Sequence, residues 1–448
     1  MDDEIMMVEE NGMQAPSVTP MANSSCWVLE MEKMIGETTD GLGRPERPSI
    51  YRVPEYVKKM TNPEAYRPRL VSLGPFHHGD PTLVSMEVHK RRAMANMVKR
   101  SGKPLSEFLA TVEEVADQLR GAYENLDEGW RGERFVQLMV TDGCFMLEVM
   151  RLCRLEGKVE QYYGPDDPVF SEHGYLYLKK DIISDMLVME NLLPLLLLKK
   201  LLHIAGCDKD DQHINKRVLD VLLSCAVTVQ SPVDDHLGLH PLDVLHKSVR
   251  GARPQHSKPL TEVPHMPSAA EIRESGIHFK KSEATGFEGA VKFEGGILSV
   301  PPMLFKDEAE RMFLNLMAFE RLHPTAGNDV TTFVYFMDHL VKTASDVRLL
   351  RSKEIIDYRL GSDEAVANLI NNTLSKGVVI CKDSNLNDVI REVSAYCKNP
   401  WNGWWANLIH THFSSPWVFI SLVAATLLLT AAVMQTIYTA MAFYKNMS

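Results

Sequence analysis

The sequence predicts a mainly α protein: a multi-helix globular body with a short β-hairpin element and one C-terminal transmembrane helix. Three observations lead there. Apolar residues recur at helical spacing in a series of stretches between Ser85 and Thr343. Strict alternation of apolar and polar residues is confined to "IHFKKS" and "AVKFEGGILSVPPM". Residues 399–444 contain no Asp, Glu, Lys or Arg. The 448-residue length suits one large or two ordinary domains, and 45% hydrophobic with 24% charged residues is a globular composition.

Along the chain, residues 1–45 read as a disordered acidic segment, with polar, low-complexity content. The folded body is expected over residues 46–400, entered through the Pro-broken "GLGRPERPSIYRVPEYV". From Ser85 a helix places Met86, Lys90, Ala93, Met94 and Met97 on one stripe, with Glu87 and Arg91 as an exposed i,i+4 pair. A second helix is expected from about Ser106 to Gly121, with Phe108, Leu109, Val112, Val115, Ala116 and Leu119 inward. A third, about Glu133 to Leu155, carries Phe135, Leu138, Met139, Asp142, Phe145, Met146 and Val149 on its inner face. The next, about Leu178 to Leu202, is nearly apolar all round and therefore central. Pro194 predicts a kink there, with Glu190 and Asn191 placed to brace it.

Residues 205–270 are rich in Pro, His and Asp and read as a solvated, variable insertion. Glu294-Gly295-Gly296 makes the hairpin turn. Helices return in "DEAERMFLNLMAFERL" and "DVTTFVYFMDHLVKT", the latter capped by Asp329 or Thr331. Gly361 closes one helix and Ser362 caps the next.

An aromatic juxtamembrane segment, residues 401–415, leads into the transmembrane helix at 416–442, followed by a short tail at 443–448. Inside the span, Trp417 to Ile437 is 21 residues with Gln435 its only strongly polar member. At helical rise this covers about 32 Å, close to the hydrocarbon thickness of a bilayer. Trp401, Trp404, Trp405 and Trp417 gather before it, and Tyr438 and Tyr444 follow, the residue types that settle at headgroup level. The anchor residues are Trp417, Phe419, Leu422, Leu427, Leu428, Leu429 and Ile437. Ser421 and Ala425 form a weak small-xxx-small pair. The acidic N-terminus lacks the apolar core of a secretory signal, so the expected arrangement is a single-pass C-terminal anchor in the plasma membrane or an endomembrane, with a cytosolic body. The sequons at Asn23, Asn371 and Asn446 carry no meaning in that arrangement.

Charge narrows the function classes. Lys plus Arg number 48 against 59 Asp plus Glu, a net of −11. Nine acids and two bases in residues 1–45 supply −7 of this, leaving −4. No concentrated basic region reads as a nucleic-acid footprint. The seven cysteines, Cys26, Cys144, Cys153, Cys207, Cys225, Cys381 and Cys397, form no CxxC and read as buried thiols in a reducing compartment.

The chain carries no phosphate loop, dinucleotide fingerprint, HExxH, GxSxG or kinase set. Four residues are weak catalytic candidates: Asp142, Glu190, His77 and His78. Asp142 is an acid at a core position; it is either a tuned acid or, the favoured reading, a charge paired with an Arg or capping another element. His77 and His78, in "LVSLGPFHHGD", point to opposite sides of an extended chain. Glu87 and His89 in "MEVHK" also diverge, so one residue from each pair could meet at a metal but all four cannot. A turn shaped by Gly74, Pro75 and Gly79 and held by His hydrogen bonds needs less. His236, His240 and His246 tempt a metal reading, but Pro241 interrupts the only i,i+4 pair. No cofactor or metal is expected.

"IYRVPEYV", "YRPRLVSLGPFHHGD", "MEVHKRRAM", "VTDGCFMLEVMR", "MENLLP", "GILSVPPM", "NLMAFER", "DVRLLRSKEIIDYRLGSDEAVANLI" and "PWVFISLVAATLLLTAA" resemble, in order, the plant-specific family of unknown function labelled DUF247. Members often have Gln where Leu192 stands and "TEL" near Ala270, so those positions tolerate change. The resemblance implies a mostly helical body with one C-terminal membrane helix and brings no catalytic residues. Some grass members are implicated in pollen–stigma self-incompatibility, which makes recognition a lead. The leading expectation is a membrane-anchored recognition or signalling protein, leaning away from an enzyme. Its partners would be the lipid bilayer and an unidentified protein, with no nucleic acid and with room for a homo-oligomer. The alternative is a membrane-tethered hydrolase or transferase with a His/Asp/Glu site, and a third idea is a membrane-active oligomer.

Overall fold

A computed structural model describes residues 47–158, 162–207, 210–223, 234–250, 266–284, 286–379, 385–399 and 416–447, with positions 27, 28, 31 and 32. Contacts divide the chain into Met1–Arg47 and Pro48–Ser448. The acidic segment at 1–45, apart from those four helical positions, and the aromatic segment at 401–415 lie outside the described residues.

The first half of the larger unit is helical. Its elements are α1 (Glu55–Met60), α2 (Glu87–Ser101), α3 (Leu105–Glu113), α4 (Ala116–Gly121), α5 (Glu133–Arg154), α6 (Glu172–Tyr177), α7 (Lys179–Asp185), α8 (Leu195–Ile204), α9 (Asp211–Leu223) and α10 (Pro241–Arg250). The longest of these, α5, is the axis: α2, α3, α8 and α9 all pack on it. Every residue expected on its inner face is buried, Asp142 included. The expected 106–121 helix is two helices broken at Glu114 and Val115, which lets Val115 and Leu119 both reach the core.

The expected long helix over 178–202 is likewise two helices, α7 and α8, not one kinked helix. Between them runs an irregular segment with a 3₁₀ turn at Met189–Asn191, and Pro194 stands just before α8 at φ −61° and ψ 135°. The residue before a proline is pushed out of the α region, so the chain leaves the helix before Pro194 instead of bending through it.

The second half contains α11 (Ala269–Glu274), β1 (His278–Lys281), α12 (Phe287–Ala290), β2 (Lys292–Glu294), β3 (Ile297–Val300), β4 (Met303–Phe305), α13 (Ala309–Leu322), α14 (Asp329–Leu340), α15 (Ala344–Ser352), β5 (Ile356–Tyr358), α16 (Asp363–Asn368), α17 (Asn385–Lys398) and α18 (Pro416–Met447). The hairpin is β2–β3, with Phe293 opposite Leu298. Its turn residues Gly295 and Gly296 have φ of 57° and 81°, and positive φ at both positions matches the right-handed twist of the strands. The β content exceeds a hairpin, because β1 adds to β3 in parallel and β4 pairs β5 in parallel. Gly361 (φ 86°) follows a strand, β5, and not a helix. Ser362 caps α16 as expected, accepting from the Ala365 N–H at 3.1 Å.

The central helix of this half is α13, buried along nearly its whole length. Phe313, Leu316 and Phe319 are each at most 1% exposed; such burial contributes about 1.5–3 kcal/mol per large side chain. Phe287 stacks on Phe333 at 4.1 Å beside it. The Pro- and His-rich stretch is not simply solvated: α9 and α10 lie in it, and α10 packs on α13 with Leu242, Leu245 and His246 buried. Residues 224–233 and 251–265 of that stretch lie outside the described set.

Candidate functional site

The site candidates converge on one feature, an irregular strap formed by residues 69–78. It belongs to no helix or sheet, and its middle, residues 71–75, is buried, so amides there need partners from elsewhere. Side chains supply them. Asp185, at the end of α7, accepts from the N–H groups of Arg69 (2.9 Å), Leu70 (2.7 Å) and Val71 (2.9 Å). Asn191 accepts from Leu73 N–H at 2.7 Å and donates to the Val71 and Asp185 carbonyls, each at 3.0 Å. Asp142, from the middle of α5, accepts from Gly74 N–H at 2.8 Å.

Charges complete the braces. Lys90 lies on the apolar stripe of α2, fully buried, and its Nζ reaches Asp142 Oδ1, Glu87 Oε1 and the Ser72 carbonyl, each at 2.7 Å. Glu87 therefore serves Lys90 and not Arg91. Arg311, on α13, donates to Asp185 Oδ1 at 2.9 Å. Its neighbour one turn on, Asn315, accepts from Met189 N–H and donates to the Ala65 carbonyl, both at 2.8 Å. Glu190 accepts from Val53 N–H and pairs with Lys58 Nζ, both at 2.8 Å, while His77 Nε2 stands 3.5 Å away.

Burial is the largest influence on Asp142 and pushes its carboxyl up, against Lys90 and the Gly74 amide. Burial also works against charge on Lys90, but Asp142 and Glu87 outweigh it and hold the ammonium in its charged form. The pair is thus a buried ion pair. Burial raises Asp185 in the same way, despite Arg311 and three amide donors. For Glu190, His77, Lys58 and the Val53 amide overcome burial and hold it below the usual range.

This arrangement fits a brace better than a catalytic centre. Asp142 and Asp185 are 0% exposed and Glu190 3%, and each accepts hydrogen bonds from fixed partners. Asp142 pairs with a cation, Lys90 and not an Arg, and accepts from the Gly74 amide of the strap. Glu190 and Asn191 brace neighbouring chain segments, not a broken helical turn. His77 and His78 diverge: the first meets Glu190, the second lies edge-on to Trp130 at 5.5 Å. Gly74 and Gly79 hold φ of 72° and 88°, conformations that favour glycine. His89 accepts from Arg92 at 2.7 Å, away from the strap.

The other histidines do not converge. His236 is exposed. His240 is buried; it accepts from Asp243 N–H at 3.1 Å and its Nε2 lies 3.0 Å from the Ser49 carbonyl. Burial pulls its pKa down to about 4, so both ring nitrogens are occupied in a neutral imidazole. His246, Glu320 and Asp329 bring ligand atoms within 4.8 Å of one another, but Glu320 is already filled. It accepts from His246 (2.8 Å), Val330 N–H (2.8 Å), Thr331 N–H (2.8 Å) and the Thr331 hydroxyl (2.6 Å). Arg250 faces Asp329 at 3.6 Å. Glu320, from α13, is thus the N-terminal cap of α14, in place of the expected Asp329 or Thr331.

Lys90, Asp185, Arg311 and Asn315 were not singled out from sequence. The available signal was a charge or amide at a core position of an amphipathic helix: Lys90 on its stripe, and Arg311 with Asn315 inside "RMFLNLMAF".

At the other end, α18 is long and apolar enough, over Val423–Ala442, to cross a membrane, and that window is 0% buried. Leu427, Leu428, Leu429 and Ile437 are exposed, at 50% or more. The side chains of Trp417, Phe419 and Leu422 lie outside the described set.

The chain matches the family described as "Plant protein of unknown function" (DUF247) over residues 50–431. It is similar to the UPF0481 protein At3g47200 of Arabidopsis thaliana, with 31% identity over 419 residues covering 86% of this chain and 85% of that protein. It is also similar to the putative UPF0481 protein At3g02645 of the same plant, with 22% identity covering 91% and 93%. No solved structure matches it.

Proposed function

Because the chain belongs to the DUF247 family of plant proteins of unknown function, we propose that it acts as a membrane-anchored recognition or signalling component and not as an enzyme. The observation that carries this reading is α18. An apolar helix with its whole window exposed to solvent is unfavourable unless lipid or another apolar surface covers it. Its length fits a bilayer. The two buried acids among the candidates support the rest of the reading: Asp142 is engaged by the Gly74 amide and Lys90, and Glu190 by the Val53 amide and Lys58. The anchored body would then present its surface, from the cytosolic side, to a protein partner.

Membrane fractionation tests the anchor. Deleting residues 414–448 moves the protein to the soluble fraction with its body folded; a deleted form that stays with membranes overturns the reading. Protease protection on intact membranes tests the side, and a digestible, unglycosylated body is expected. Elemental analysis tests the hydrolase or transferase alternative, which a stoichiometric metal lost on His77→Ala or His78→Ala would favour.

A further inference from the structure

Away from the strap, the C-terminal halves of α2 and α5, the first residue of α7, and α8 and α9 enclose a cavity of about 440 Å³, a size typical of small-molecule sites. Its floor is apolar, with Met97, Leu198 and Val221 buried there. Its mouth is basic. Arg100, Arg151, Arg154, Lys179 and Arg217 line it against Glu148 and Asp220, five cations to two acids or +3, in a chain of net charge −11.

Glu148 is consumed locally. It pairs with Arg100 and with Arg151 (3.4 Å) and accepts from the Tyr163 hydroxyl at 3.0 Å. Even so, Arg100 keeps a buried Nη1 with no hydrogen-bond partner, an arrangement that costs free energy unless something occupies it. Among the described residues, Arg154, Lys179 and Arg217 form no ion pair with a carboxylate. Basic residues in the last turns of α2 and α5 complement the helix dipoles. That accounts for Arg100, Arg151 and Arg154, and Tyr175 engages Lys179 through its hydroxyl at 3.2 Å and its ring face at 4.5 Å; neither accounts for Arg217 inside α9.

We propose that this cavity binds an amphipathic phosphate monoester, with the phosphate among the arginines and an apolar body on the floor. The local excess of +3 favours a dianionic head over a carboxylate, and guanidinium groups grip phosphate oxygens in paired hydrogen bonds. The ester can come from a phosphatidic-acid-type lipid or from a soluble metabolite. The proposal stands independently of the membrane reading.

The test is calorimetric titration of the full chain in phosphatidylcholine nanodiscs with 1-naphthyl phosphate, alongside inorganic phosphate and 1-naphthol. The expected result is saturable binding of the ester, tighter than either control by about tenfold or more. Arg154→Glu/Arg217→Glu weakens it by about tenfold or more, and Ala205→Trp, which fills the cavity, abolishes it without changing the melting temperature. Equal binding of ester and naphthol, or binding unchanged in both variants, overturns the proposal. Competition by phosphatidic acid in the disc assigns the ligand to lipid; undiminished ester binding assigns it to a soluble ester.

Discussion

Replacing Asp142 by Asn separates a brace from an ornament. Asp142 Oδ1 meets Lys90 Nζ at 2.7 Å and Oδ2 meets Gly74 N–H at 2.8 Å, with both charged side chains fully buried. Asn keeps one oxygen, enough for the Gly74 amide, but turns an –NH₂ group toward the Lys90 ammonium. Breaking one side of a buried ion pair costs about 3–5 kcal/mol. Glu87 remains on Lys90 at 2.7 Å, so the lower figure, about 3 kcal/mol, applies. A loss of that size is a large share of a typical total of about 5–15 kcal/mol. It lowers the unfolding midpoint by about 4 °C, read by scanning fluorimetry of the detergent-solubilised full chain. Lys90→Met added to Asp142→Asn removes the stranded ammonium and recovers part of the loss. An Asp142→Asn protein that melts with the wild type, or a double variant that melts below the single one, would refute the brace.

Two further outcomes follow from the geometry. Burial lowers His240 from 6.5 to about 4 in the folded chain, so between those values the unfolded chain holds the extra proton. Stability is therefore complete above about pH 6.5 and falls as the pH drops toward 4, by about 3 kcal/mol from this group; denaturant titrations from pH 7 to 4 should show His240→Gln with a flatter slope. At Gly143, an added Cβ would lie 2.4 Å from Leu201 Cδ1 and 3.1 Å from Leu197 Cδ2. Gly143→Ala should destabilise by about 1–3 kcal/mol in denaturant melts, although Ala gains about 1 kcal/mol in helix propensity; a stabilised variant would mean that α5 and α8 do not approach as closely as described.

The sequence by itself determined the helical class, the buried stripe of α2, the extent of α5, the β2–β3 turn and the apolar C-terminal helix. Each rests on information within a few residues: a 3.6-residue apolar period, paired glycines, or a long run without charge. Breaks were less legible, since Val115 keeps the apolar pattern while its backbone leaves the helix. What only the tertiary structure decided is who meets whom. Asp142 finds Lys90 52 positions away, Asp185 finds Arg311 126 away, and the cap of α14 arrives from Glu320 on α13. Periodicity places a charge at a core position, but a buried charge is tolerable only beside its counter-charge or donors. Which distant group supplies them depends on how the helices pack, and local sequence carries no record of that.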